Sequence, residues 1–302
     1  MVIVLRFKLY ICLIIFALLI TGFVMFQDKH REIGRASPVF DGVSNPYFVI
    51  NNIFGVSSIY VWDKDTKKKQ LLKLEFARIS YLLLPKSDRH LYYRAVRGGV
   101  GSMKKITFST KKIEIISRFS DMAFCVSDIL PDNKLLVSYA PWIDTRTFFV
   151  GRTLGDWTLA YLDVDTGQME NLLQKSSSIN SPKSIRGTDD ILFNYFLSFE
   201  DPREFKIYNL KTKEERYLPI EVHVDQWCYD DKNNRIYFQG KGFVWEYDMA
   251  SEKLRKLFAF KEAIDFLVKH PVEMKFLVKF SNNPKTMFYV DADGVMSKFF
   301  SI

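Results

Sequence analysis

One phrase recurs six times along this chain, and a repeat of that period decides more about the fold than any other feature. An apolar strand, a polar turn of Asp, Thr and Lys, and a second strand of mixed basic and apolar residues stand at Ile59–Leu74, Lys104–Ser117 and Leu159–Leu173. The phrase returns from Phe205, Val244 and Met287. Its turn residues, Thr66, Thr110, Thr166, Thr212, Ser251 and Gly294, lie 44, 56, 46, 39 and 43 residues apart. From Gly34 to Ile302 this gives about 45 residues per unit, the size of a four-stranded propeller blade. Each unit also has an upstream strand pair; in unit five a strand ends at Tyr229, a turn follows at 230–234, and a strand runs Arg235–Gln239.

The strands are apolar on both faces, with Ile59 and Val61 on one side and Tyr60 and Trp62 on the other. Sheets packed between two neighbours require this. It also accounts for an aromatic content of 16%, since flat rings fill the wedges between radially stacked sheets. A seven-bladed ring would need the 56-residue interval to hold two blades, and it is too short; a β-sandwich would not repeat one phrase six times. The expected fold is all-β, a six-bladed β-propeller of four-stranded antiparallel blades at about 34–76, 77–117, 118–174, 175–219, 220–259 and 260–302. Only the stretch near Lys261–Lys269 has a helical look, and it reads equally as a strand.

Ahead of the repeat, residues 9–26 read LYICLIIFALLITGFVMF, eighteen residues without a charge. At about 1.5 Å per residue a helix of that length covers roughly 27 Å of a hydrocarbon core about 30 Å thick. A cleaved signal peptide would have a shorter apolar centre and a small-x-small site. Here the run ends in Phe23-Val24-Met25-Phe26, so it is read as one N-terminal transmembrane helix, an uncleaved anchor between a short cytoplasmic segment (1–8) and a linker (27–33). Basic flanks nearly balance: Arg6 and Lys8 precede the run, while Lys29, Arg31 and Arg35 follow it. A short amino end before a large domain is the arrangement of a signal anchor. With no Asn-x-Ser/Thr sequon, the expected location is the bacterial inner membrane, single-pass, with the propeller in the periplasm.

The phrase Leu162-Asp163-Val164-Asp165-Thr166-Gly167, with Pro131-Asp132-Asn133-Lys134 at an inner hairpin, resembles the TolB-like six-bladed propellers. The resemblance covers Gly34–Ile302 at the level of the repeat. It implies a periplasmic ring used as a docking surface for other proteins. This chain departs from that pattern in having a membrane anchor and no separate α/β domain before the ring.

Catalytic and cofactor signals are sparse. Asp63-Lys64-Asp65, Asp163-Val164-Asp165 and Asp291-Ala292-Asp293-Gly294 alternate carboxylates as calcium loops do, but none continues to the Glu that such a loop needs. Asp, Thr and Gly are also what hairpin turns select. Arg97-Gly98-Gly99-Val100-Gly101-Ser102 looks like a phosphate loop, but strands flank it where a helix amino terminus is required. Cys125 and Cys228 fall on inner strands of non-adjacent units, so they are read as buried thiols. His90, His223 and His270 accompany no nucleophile elbow. No cofactor, metal or catalytic residue is therefore expected, although propeller enzymes do gather ligands from several blades.

The 56-residue interval is the informative irregularity. About ten extra residues lie in PWIDTRTFFVGRTLGDWT between Ala140 and Leu159. As a loop this segment is the candidate partner-contacting site: Trp142, Arg146, Phe148, Phe149, Arg152 and Trp157, of residue types enriched in interface hot spots. The chain carries a net charge of +8, and basic residues cluster on outer strands such as Lys67-Lys68-Lys69, where edge lysines block strand-to-strand aggregation. The partner expected is another envelope protein, with the membrane bound through residues 9–26 and no nucleic acid. Other readings are an immunity or inhibitor protein against a toxin and a glycan-active lyase or hydrolase.

Overall fold

The computed structural model describes residues 31–302 except 35, 42–43, 53–54, 86–88, 121, 131, 148–149, 176–177 and 197–203. Among them no helix is long and apolar enough to cross a membrane; the expected anchor at 9–26 lies outside the described residues.

Alternating apolar strands and polar turns fold into six antiparallel sheets. Blade 2 joins Arg78–Leu83, His90–Arg97, Val100–Thr107 and Ile113–Ser120. Blade 4 joins Ser178–Ser184, Asp190–Phe196, Glu204–Asn209 and Glu215–Tyr217, and blade 5 joins Trp227–Asp230, Arg235–Gly240, Phe243–Asp248 and Lys253–Ala259. Blade 6 joins Ile264–Lys269, Lys275–Phe280, Thr286–Asp291 and Met296–Ser301. The helical look of Lys261–Lys269 thus resolves into a strand. Blade 3 joins Met122–Ile129, Lys134–Thr147, Trp157–Asp163 and Met169–Lys175, with Val150–Leu154 added on the second strand. In blade 1, Pro46–Asn51, Ser57–Asp63 and Lys68–Glu75 follow a split inner strand, Glu32–Ile33 and Val39–Phe40. Glu32 and Ile33, placed in the linker by the sequence, pair with Asn51 and Ile50 and so belong to the ring.

The phrase that repeats has a local cause. In five turns the first Asp or Asn folds back to accept two backbone N–H groups two and three residues on: Asp63 from Asp65 and Thr66, Asp163 from Asp165 and Thr166, Asn209 from Lys211 and Thr212. Asp230 and Asp248 do the same, so the alternating carboxylates serve backbone turns. The residue completing each third-to-fourth-strand turn has a left-handed backbone: Lys67, Lys111, Gly167, Lys213, Glu252 and Gly294, with φ between 53° and 83°. Glycine is compulsory at only two of them. A Cβ on Gly167 would lie 2.5 Å from Ile116 O, and one on Gly294 2.9 Å from Phe258 Cβ.

Six apolar clusters occupy the six gaps between blades among the described residues. Tyr93 lies between blades 1 and 2, and stacked Phe119 and Phe124, 4.0 Å apart, between blades 2 and 3. Phe193 lies between blades 3 and 4, Phe238 between 4 and 5, and Phe276 between 5 and 6. The last gap closes the ring with Phe48 and Phe300, centroids 5.0 Å apart. Each such buried ring stabilises the packing by roughly 1.5–3 kcal/mol relative to exposure. Blades 6 and 1 share no strand among the described residues. Buried Lys279 reaches across that seam, donating to Ile33 O at 3.0 Å while pairing with Asp265 Oδ2 at 2.6 Å.

Candidate functional site

The inner strands are where the six units stop being alike in role. Four of them carry a bulge, with Ser80, Ser127, the pair Ser181–Pro182, and Asp265 as the residues without a one-to-one partner. A bulge twists its strand and re-aims neighbouring side chains. Blade 1's inner strand is broken between Ile33 and Val39. Together they surround an axial cavity of about 340 Å³ whose wall includes Phe40, Leu83, Val126, Lys183, Trp227 and Lys269.

One polar cluster lies beside the axis. Tyr81 OH and Cys125 Sγ are 2.9 Å apart, Arg94 Nη1 donates to Ser80 Oγ at 3.2 Å, and Cys125 Sγ faces Asn180 Oδ1 at 3.9 Å. Repulsion from an ionised Cys125 and burial hold the Tyr81 phenol well above its ordinary range, and burial pushes the Cys125 thiol up, so both are neutral near pH 7. Cys125 and Cys228 are free. His270, 3% exposed, accepts the N–H groups of Val272 and Glu273 on Nδ1. Burial depresses its pKa to about 4, so the ring is neutral with its proton on Nε2. No three His, Cys, Asp or Glu side chains come together as a metal site among the described residues.

The extra residues of blade 3 form a paired extension of the sheet where the sequence reading placed a loop. Trp142 pairs with Leu154, Ile143 with Thr153, Asp144 with Arg152 and Thr147 with Val150. The second strand continues past the ring, and Val150–Leu154 pairs back on it before a break at Gly155-Asp156 leads into the third strand. Trp142 is 41% exposed. Arg146 lies in the outgoing strand and Arg152 in the returning one; Phe148 and Phe149 lie outside the described residues. Trp157 parts from the group: it opens the third strand opposite Lys175 and is half-buried against the cluster between blades 3 and 4. Arg97–Ser102 is a tight hairpin turning at Gly98 and Gly99.

Sheet topology assigns these features to two faces. All second-to-third-strand connections open on one face, so the blade 3 extension shares it with Glu32–Ile33, which pair beside the Asn51–Ser57 connection. The first-to-second and third-to-fourth-strand turns open on the other face, as does the cavity, whose wall runs along the far ends of the inner strands to Lys269 and Pro271.

No family model matches this chain, and no curated protein does. Solved structures do. An oligogalacturonate lyase in complex with manganese superposes with a TM-score of 0.63 at 15% identity, covering 90% of this chain and 78% of the other. TolB from Acinetobacter baumannii gives 0.63 at 12% identity, over 88% of this chain and 62% of TolB. The chain has the six-bladed propeller fold of TolB. The β-propeller domain of the trilobed protease from Pyrococcus furiosus, described as having an open velcro topology, gives 0.55 at 16% identity over 88% and 84%. These similarities extend to both enzymes and TolB, and at such identities they concern the fold.

Cavity residues Lys183, Lys269, Trp227 and Tyr81 were not singled out from the sequence. The available signal was Pro182 inside an inner strand, where a proline marks a bulge.

Proposed function

We propose that this protein is a membrane-tethered docking module, an envelope assembly or accessory factor that uses the blade 3 extension to bind another envelope protein. The observation that carries this reading is Trp142, 41% exposed on a two-stranded projection that the ring does not need for closure. Trp142 stands on a paired strand, and Trp and Arg supply much of interface affinity. The tether sharpens the reading. Only residues 27–31 separate the apolar run from Glu32, and five extended residues reach at most about 18 Å. Glu32 and the extension share a face, so an anchor at 9–26 turns the extension toward the bilayer, and the partner is a protein in or at that membrane.

Two measurements test this. Affinity capture of the full chain from envelope extracts should recover one stoichiometric partner that is lost when Trp142 and Arg146 are changed to Ala. Turnover of an acidic polysaccharide with no such partner would favour an enzyme instead. A reporter fused after Ile302 should be active outside the cytoplasm; activity only inside it would overturn the proposed location.

A further inference from the structure

The cavity on the face away from the blade 3 extension holds two amines, Lys183 and Lys269, that form no ion pair among the described residues. Lys183 reaches it because the Ser181–Pro182 bulge, with Ser181 at φ 50°, shifts the register of its strand. Its Nζ donates to Ser127 O. Lys269 comes from the end of blade 6's inner strand and donates to His270 O at 2.7 Å and Glu273 O at 2.8 Å. Neither ammonium has a carboxylate within 4 Å among the described residues, unlike Lys279 or Lys206, which pair with Asp265 and Glu215. Cys228, which both lysines influence, gives no compensating charge, because burial pushes its thiol up to about 12. Carbonyl oxygens satisfy some N–H donors, and Asp230 and Glu273 act on Lys269 from beyond ion-pair distance, which leaves two partly buried ammoniums beside an apolar wall able to pair with an anion.

The rest of the wall defines what that anion is. Trp227, Tyr229, Leu83 and Val126 present flat and branched apolar surface, and about 340 Å³ lies at the small end of ligand cavities. We infer that the axial cavity is a binding site for a small amphiphilic carboxylate, its carboxylate held between Lys183 and Lys269 and its aromatic or branched body against Trp227 and Tyr229. The site is independent of the docking reading, since it opens on the opposite face.

The test uses the full chain in phosphatidylcholine nanodiscs, with empty nanodiscs as the blank, and follows 4-(trifluoromethyl)phenylacetate by ¹⁹F NMR. The neutral comparison is 4-(trifluoromethyl)phenylacetamide. The acid should bind the wild-type protein at least about tenfold more tightly than the amide, a difference of about 1.4 kcal/mol. That preference should fall to about twofold or less in Lys183→Met and in Lys269→Met, which keep the apolar stem and remove the charge. The wild-type comparison stands even if a variant fails to fold. Equal affinity for acid and amide, no binding of the acid up to about 10 mM, or an acid preference unchanged in both folded variants would overturn the inference.

Discussion

Lys279 offers a quantitative test of how the ring is held closed. It is 2% exposed, its ammonium lies 2.6 Å from Asp265 Oδ2 and 3.0 Å from Ile33 O, and Asp265 also accepts Ser281 Oγ at 2.7 Å. Changing Lys279 to Met keeps most of the stem but takes the ammonium away from a largely buried carboxylate and from the Ile33 carbonyl. Breaking a buried pair from one side costs about 3–5 kcal/mol. Asp265 retains 16% side-chain exposure, so solvent softens the loss and the lower value, about 3 kcal/mol, is expected. In a domain of this size that corresponds to a fall in Tm of roughly 6–12 °C. Adding Asp265→Asn removes the charge that Lys279 had balanced while leaving an acceptor for Ser281, so the double variant should recover about 2 kcal/mol relative to additive single losses. Thermal and urea unfolding of the full chain, in one detergent throughout, measures all four proteins. A Lys279→Met loss below about 1 kcal/mol, or strictly additive singles, would refute the assignment of the seam to this pair.

Three further outcomes follow from the packing. Gly240→Ala should be strongly destabilising, because a Cβ there would sit 2.1 Å from His223 O, whereas Gly98→Ala, with nothing within 4 Å, should cost only the left-handed backbone penalty of about 1–2 kcal/mol; parallel melts compare them. Because His270 has its folded pKa lowered to about 4, the unfolded chain binds the extra proton first, so stability is complete above about pH 6.5 and is lost as pH falls toward 4. The loss is on the order of 3 kcal/mol, and His270→Gln should flatten that part of a stability–pH profile. Glu114, held at about pKa 2 by hydrogen bonds from Lys105 and Lys112, should titrate by NMR well below an ordinary glutamate, and Lys105→Met should move it upward.

The repeat was legible because its cause is local. An Asp or Asn that caps its own turn, a Thr behind it and a left-handed residue next leave the same signature wherever they occur, so Thr66, Thr166 and Thr212 can be aligned without knowing the fold. Outer strands show the repeat without a clean period of two, because five carry a bulge at an apolar residue, namely Leu72, Ile116, Leu172, Leu257 and Phe299. The extra residue sets two apolar side chains in succession, Leu71-Leu72 or Phe299-Phe300, and breaks the alternation that marks a strand. The blade 3 extension was visible as surplus length but not as paired strand, since Thr145, Arg146 and Thr147 carry no apolar alternation. The cavity was invisible for a different reason. Lys183, Trp227 and Lys269 come from three blades, and only closure of the ring brings them to one axis.

The docking account is tested most directly by a photo-crosslinking residue placed at position 142 of the full chain in its native membrane, with a second probe at Val272, 72% exposed on the opposite face. The account predicts one dominant adduct to a membrane-associated protein from position 142 and none to that protein from position 272. Equal crosslinking from both positions, or adducts only from 272, would contradict it.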